Sequence, residues 1–129
     1  MSELYQKHIL DHYANPRNRG RLEEADIVAD ADDPSCGDQV HIEIGLDRSG
    51  RVERVAFEGE GCMISMAAAS IFTEFIRGRS LSELESLTED EALALLGAPV
   101  GPNRRRCALT PLAALRAGLR RYRCEHGTG

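Results

Sequence analysis

A chain of 129 residues can bury one real hydrophobic core but not several, so a single domain over residues 1–129 is expected. A net charge of −5 argues against a general nucleic-acid binder, which needs a basic surface. No apolar run is long enough to cross a membrane, and Met1-Ser2-Glu3-Leu4-Tyr5-Gln6-Lys7 lacks a signal core, so a cytoplasmic protein is expected. In a reducing compartment its four cysteines read as metal-binding or reactive rather than as a disulfide framework.

Residues 3–14 carry Leu4, Tyr5, Ile9 and Tyr13 at helical spacing, and Asn15-Pro16 ends the run. His8 and His12 share a face of that helix; a packed or half-exposed pair is the expectation, because no glutamate follows His8 as a zinc protease would require. Pro16 to Gly20 is a basic turn, read as a solvated loop or a docking patch for an acidic partner. Residues 25–31 alternate loosely, with Ile27, Ala29 and Ala31 on one face, and Asp32-Asp33-Pro34 breaks the run. From Gln39 to Leu46 the alternation is clean, with Val40, Ile42, Ile44 and Leu46 facing one way. Asp47 to Gly50 is a hairpin turn into a strand over about residues 51–58, with Val55 and Phe57 inward.

Gly59-Glu60-Gly61-Cys62 closes that strand and opens a helix almost free of charge until Glu74, hence buried on most sides. Ser80 to Glu83 and Thr88 to Glu91 are capping boxes, the second opening a helix through Leu96 with Gly97 as its stop. Pro99 to Asn103 reads as a loop. Leu109, Leu112, Leu115, Leu119 and Tyr122 stripe a last helix; Pro111 suits only a first turn, which puts Cys107 at or just before its start. The tail 125–129 is expected to fray.

Three strands in a meander followed by helices predict an α+β fold, a small three-stranded antiparallel sheet covered by helices. Antiparallel pairing sets the end of the third strand beside the start of the second, so Cys36, Asp38 and Cys62 meet at one end of the sheet. Cys107, preceded by Arg104-Arg105-Arg106, supplies a third thiol. Three thiols and a carboxylate, each at an element boundary, suit one four-coordinate site for zinc or an iron–sulfur cluster. A thiol at a helix start, or beside arginines, is biased toward thiolate. Cys124 lies ~25 Å along the last helix from Cys107, too far to share an ion, and is read as a bystander.

Asp11 to Gly20, Asp33 to Asp38, Gly59 to Ala67 and Arg104 to Leu109 together resemble, in order and over nearly the whole chain, the U-type iron–sulfur cluster assembly family of IscU, SufU and the NifU N-terminal domain. The resemblance implies that Cys36, Asp38, Cys62 and Cys107 are the metal or cluster ligands and that the partner is a pyridoxal-phosphate cysteine desulfurase. Arg106 stands where the scaffold branch has a His, and Gly101-Pro102-Asn103 stands near its Leu-Pro-Pro-Val-Lys chaperone motif. The Gly-Glu-Gly-Cys-x-Ile-Ser and Arg-x-Arg features resemble SufU, although SufU proteins usually carry an insertion that the spacing from Cys62 to Cys107 is too short to hold.

Three functions follow as expectations. The first is a sulfur acceptor with bound zinc, with Cys36 the acceptor by resemblance and Cys107 its rival by its arginine neighbours. The second is a scaffold for a transient [2Fe–2S] cluster, passed to downstream apo iron–sulfur proteins or a carrier. The third is a structural zinc module, disfavoured because such sites use Cys and His rather than a carboxylate.

Overall fold

The computed structural model describes residues 3–33, 37–97 and 101–126. The chain runs α1 (Glu3–Ala14), β1 (Ile27–Asp33), β2 (Asp38–Leu46), β3 (Val52–Glu60), α2 (Met63–Ile76), α3 (Leu81–Glu85), α4 (Glu89–Ala94) and α5 (Pro102–His126). The sheet is antiparallel in the order β1-β2-β3, with Ile27 opposite Ile44 and Ile42 opposite Phe57, so the expected meander is present.

Alternation in the strands decides which face is covered. Ile27, Ala29, Val40, Ile42, Ile44, Val55 and Phe57 are buried, and they pack against Phe72 and Ile76 of α2 and Leu112, Leu115 and Leu119 of α5. Each such side chain contributes on the order of 1.5–3 kcal/mol by leaving water. A second cluster, Ile9, Ala67, Ala68, Ile71, Leu96 and Ala108, fills the other side of α2. That helix therefore has core on two sides, which is what its small, uncharged sequence requires.

Both capping boxes form, at Ser80 with Glu83 and at Thr88 with Glu91. The hairpin forms around Asp47, whose Oδ1 accepts from the backbone N–H of Ser49 and Arg51, while Gly50 takes a positive φ of 84°. Asn18 and Gly20 do not form a free loop: the Phe57 N–H donates to the Asn18 carbonyl and the Gly20 N–H to the Phe57 carbonyl, which covers part of the β3 edge.

The boundaries differ from expectation in four places. β1 continues to Asp33, because Asp32 and Asp33 keep pairing with Gln39 and Asp38. α4 ends at Ala94, two residues before Leu96. α5 continues to His126, so residues 125 and 126 are helical; 127–129 lie outside the described residues. Most consequential, α5 begins at Pro102, a residue with no N–H to waste at a helix start, so Pro102 and Asn103 are helical and Cys107 lies inside the helix. Pro111 is then a helix-interior proline. Burial of Leu112, Ala114, Leu115 and Leu119 against the sheet outweighs its cost. No helix among the described residues is long and apolar enough to cross a membrane.

Candidate metal and thiol site

Asp38, Cys62 and Cys107 come from three different elements and converge. One ligand atom from each, the Asp38 carboxylate oxygen and the two Sγ atoms, all lie within 4.8 Å of one another. Two sulfurs bound tetrahedrally at ~2.3 Å from one zinc sit about 3.8 Å apart, so closing the site needs side-chain rotations rather than backbone motion.

Three local features put these groups together. Asp38 opens β2 on its inward face, in line with Val40, Ile42 and Ile44, and is wholly buried. Pairing of Gln39 with Glu60 carries the chain leaving β3 past Asp38, and the Cys62 N–H donates to Asp38 Oδ1 at 3.0 Å. Cys62 is the residue before α2, in extended conformation, and its thiol is half-buried. Cys107 arrives from α5 and is buried. No disulfide joins Cys62, Cys107 and Cys124 to one another.

Cys36 falls in the connection between the paired Asp33 and Asp38 and lies outside the described residues. Of the four residues that the sequence singles out, three are thus brought together. Cys124 is exposed near the far end of α5, as expected. His8 is exposed and His12 buried, their rings in edge contact 4.9 Å apart between centroids; His12 Nδ1 meets Ser70 rather than an ion site.

The donor set fits a metal on one observation above all. Asp38 Oδ2 is fully buried and has no hydrogen-bond partner among the described residues, while Oδ1 is occupied. A carboxylate oxygen stripped of water and left unpaired is costly, and a cation between it and the two sulfurs would remove that cost. Thiolates with one carboxylate suit zinc or iron and not magnesium or calcium, which take oxygen ligands.

Arginines frame the site. Arg106 reaches across to β1, where a guanidinium nitrogen lies 3.1 Å from Asp33 Oδ1, and Asp33 pairs with Asp38 across the strands. Arg105 lies 3.4 Å from Glu89 on α4. Arginine stays protonated and offers no lone pair, so the residue before Cys107 cannot supply a further ligand. One contributor is not singled out by the sequence: Ser65, wholly buried three residues beyond Cys62, has its Oγ 3.2 Å from Asp38 Oδ1. Its only signal is position, the third residue of the helix that Cys62 caps.

Known proteins resemble this chain in sequence and fold. The zinc-dependent sulfurtransferase SufU of Bacillus subtilis is 37% identical over 136 aligned residues, covering 92% of this chain and 91% of that protein. The iron–sulfur cluster assembly scaffold protein IscU of Haemophilus influenzae is 30% identical, covering 95% and 98%. Among solved structures, a putative iron–sulfur cluster assembly scaffold protein for the SUF system from Fervidobacterium islandicum superposes with a TM-score of 0.73 at 27% identity, over 92% of this chain and 96% of that one. The NifU-like N-terminal protein of Brucella abortus, at 24% identity and a TM-score of 0.76, shares the fold. The model of the NifU-like N terminal domain matches residues 4–128, nearly the whole chain, and the chain belongs to that family.

Proposed function

We propose that this protein serves iron–sulfur cluster assembly by accepting sulfur from a cysteine desulfurase at a zinc site made of Cys36, Asp38, Cys62 and Cys107. The observation that carries the reading is the convergence of Asp38, Cys62 and Cys107 around an unpartnered buried carboxylate oxygen, in a chain similar to a zinc-dependent sulfurtransferase. Cys36 is two residues from Asp38 in the sequence and enters the set by the family resemblance.

Zinc, when bound, would hold the thiols deprotonated and protected from oxidation. The chain's own residues do the rest. Asp38 and Cys62 fix one side of the site through the strand and the helix start, and Cys107 fixes the other. Cys36 is the better acceptor by resemblance, and Cys107, only 4% exposed, offers little surface to a partner's persulfide. The acceptor thiolate attacks the outer sulfur of the desulfurase persulfide, forming a new S–S bond here while the partner's cysteine leaves as thiolate. Exposed Arg104, Arg105 and Arg106 beside the site offer a cationic lip to an acidic partner surface.

The test is zinc content of protein purified without chelator, together with stimulation of a cysteine desulfurase. Zinc near one equivalent and a stimulated desulfurase are expected, with C36S abolishing stimulation and C62S or C107S losing zinc. A desulfurase unmoved by this protein would leave only a structural zinc module.

A second reading has its own support. The same residues could carry a transient [2Fe–2S] cluster, since IscU scaffolds are similar over almost all of the chain and a carboxylate among thiolates makes one ligand easier to release. Anaerobic reconstitution with iron, sulfide and desulfurase decides it: a stoichiometric, transferable cluster supports the scaffold, and adventitious iron alone removes it. Arg106 favours the sulfur-acceptor reading, because it gives no ligand where a scaffold-type His would.

A further inference from the structure

The two oxygens of Asp38 have different surroundings. Oδ1 receives the Cys62 backbone N–H at 3.0 Å and lies 3.2 Å from the Ser65 hydroxyl, while Oδ2 is buried without a partner among the described residues. Gly61 makes room for this: a Cβ built there would land on Asp38 Oδ1 and Ser65 Oγ, closer than real Cβ contacts come. The carboxylate is therefore gripped at one oxygen by two donors from the first turn of α2 and packed against bare backbone.

We propose that Ser65 is a positioning residue for the metal site, fixing the Asp38 carboxylate so that Oδ2 alone is presented to the ion. The inference rests on the zinc-site reading above and deepens it. A carboxylate free to turn about its terminal bond would bind through either oxygen or both. Donors on Oδ1 take up that oxygen's lone pairs and remove the choice before the ion arrives. The Ser65 hydroxyl has one proton and three neighbours: Asp38 Oδ1, the Cys62 carbonyl at 3.0 Å and Cys62 Sγ at 3.9 Å. The Cys62 thiol donates to the hydroxyl, and of the two acceptor oxygens the carboxylate is the stronger, so the Ser65 proton goes there. Ser65 thereby joins two ligands, touching the side chain of one and the backbone of the other.

The experiment is zinc competition against a chromophoric chelator on the full chain, for the unaltered protein, S65A, D38A and the double variant, with Co²⁺ absorption spectra on the same four. S65A is expected to weaken zinc about 10–100-fold, the usual range for loss of a hydrogen bond to a ligand, and to shift the Co²⁺ bands. In the D38A background the same change should move affinity by less than about twofold, because the carboxylate it acts through is gone. G61A is the second variant, displacing the carboxylate instead of removing its donor, and it should show the same dependence on Asp38. Should S65A not fold, G61A carries the comparison. Zinc held equally by S65A and the unaltered protein, or lost equally with and without Asp38, overturns the inference alone. An unaltered protein that binds no zinc overturns the site reading, and this with it.

Discussion

His41 shows how much one side chain can organise on the face of the sheet away from the helices. Its Nδ1 is 2.7 Å from Asp30 and its Nε2 is 2.8 Å from Glu43, so both ring nitrogens donate, as only the imidazolium can. Partial burial opposes that charge, but the hydrogen bonds and charges of Glu43 and Asp30 outweigh it and hold the His41 pKa above the usual histidine value. Glu43 is held below the usual glutamate value by His41 and by the Leu22 N–H, which donates to it at 2.8 Å. A histidine whose folded pKa is raised contributes stability that is complete below its unfolded pKa, near 6.5, and is lost as pH rises through the folded value. H41Q should therefore cost more at pH 5.5 than at pH 8.5 in urea unfolding. An equal cost at the two would mean that His41 is neutral throughout.

Between elements, the telling contacts are those that hold helices in place. α1 is pinned through Ser70 of α2: the Arg17 N–H donates to Ser70 Oγ at 2.8 Å, and with the neutral ring's proton on Nε2 toward Glu74 the Ser70 hydroxyl donates to His12 Nδ1, 2.7 Å away. Nε2–H then faces Glu74, 3.4 Å away, and burial, followed by the charge of Arg17, keeps the His12 pKa below normal and the ring neutral. S70A leaves a buried imidazole nitrogen and a backbone N–H without this partner and should cost about 1–3 kcal/mol, read by chemical denaturation. Loss of α1 amide protection in hydrogen exchange should accompany it. α5 lies against β1 at Gly118, where an added Cβ would come within 2.6 Å of Ala29 Cβ and 3.2 Å of Ile27 Cγ2. G118A should thus cost about 1–3 kcal/mol by overpacking, the reverse of the gain that Gly→Ala brings in an exposed helix. Unchanged stability would mean that this helix slides easily over the strand. The sheet and both capping boxes can be read from the sequence because each depends on near neighbours. The start of α5 cannot: a rule about Pro111 is set against burial of Leu112, Leu115 and Leu119 on strands far away in sequence, and burial wins.

At the scale of the molecule, the candidate site exists only in the folded chain, since Asp38, Cys62 and Cys107 come from β2, the start of α2 and α5. Zinc should therefore stabilise the fold by mass action, by about 2.7 kcal/mol at a hundredfold excess over Kd, and a chelator should lower Tm. A Tm indifferent to zinc and chelator would count against a zinc site built from these residues. Asp38 and Cys62 are legible in the sequence because each marks an element boundary and antiparallel pairing alone folds those two boundaries together. Cys107 is legible as a thiol behind three arginines, although it lies inside α5 rather than at its start. Ser65 is not legible, because a serine in a helix declares its role only when the carboxylate beside it is in place. The pairing of β2 with its neighbours has one more result. Were β2 to slip by a single residue, Gln39 would replace Asp38 on the covered face and the acid group would swing out into water together with Val40, Ile42 and Ile44. Misassembled copies would then lack the Asp38–Cys62–Cys107 corner altogether, so an ion that needs all three would select the correctly paired sheet.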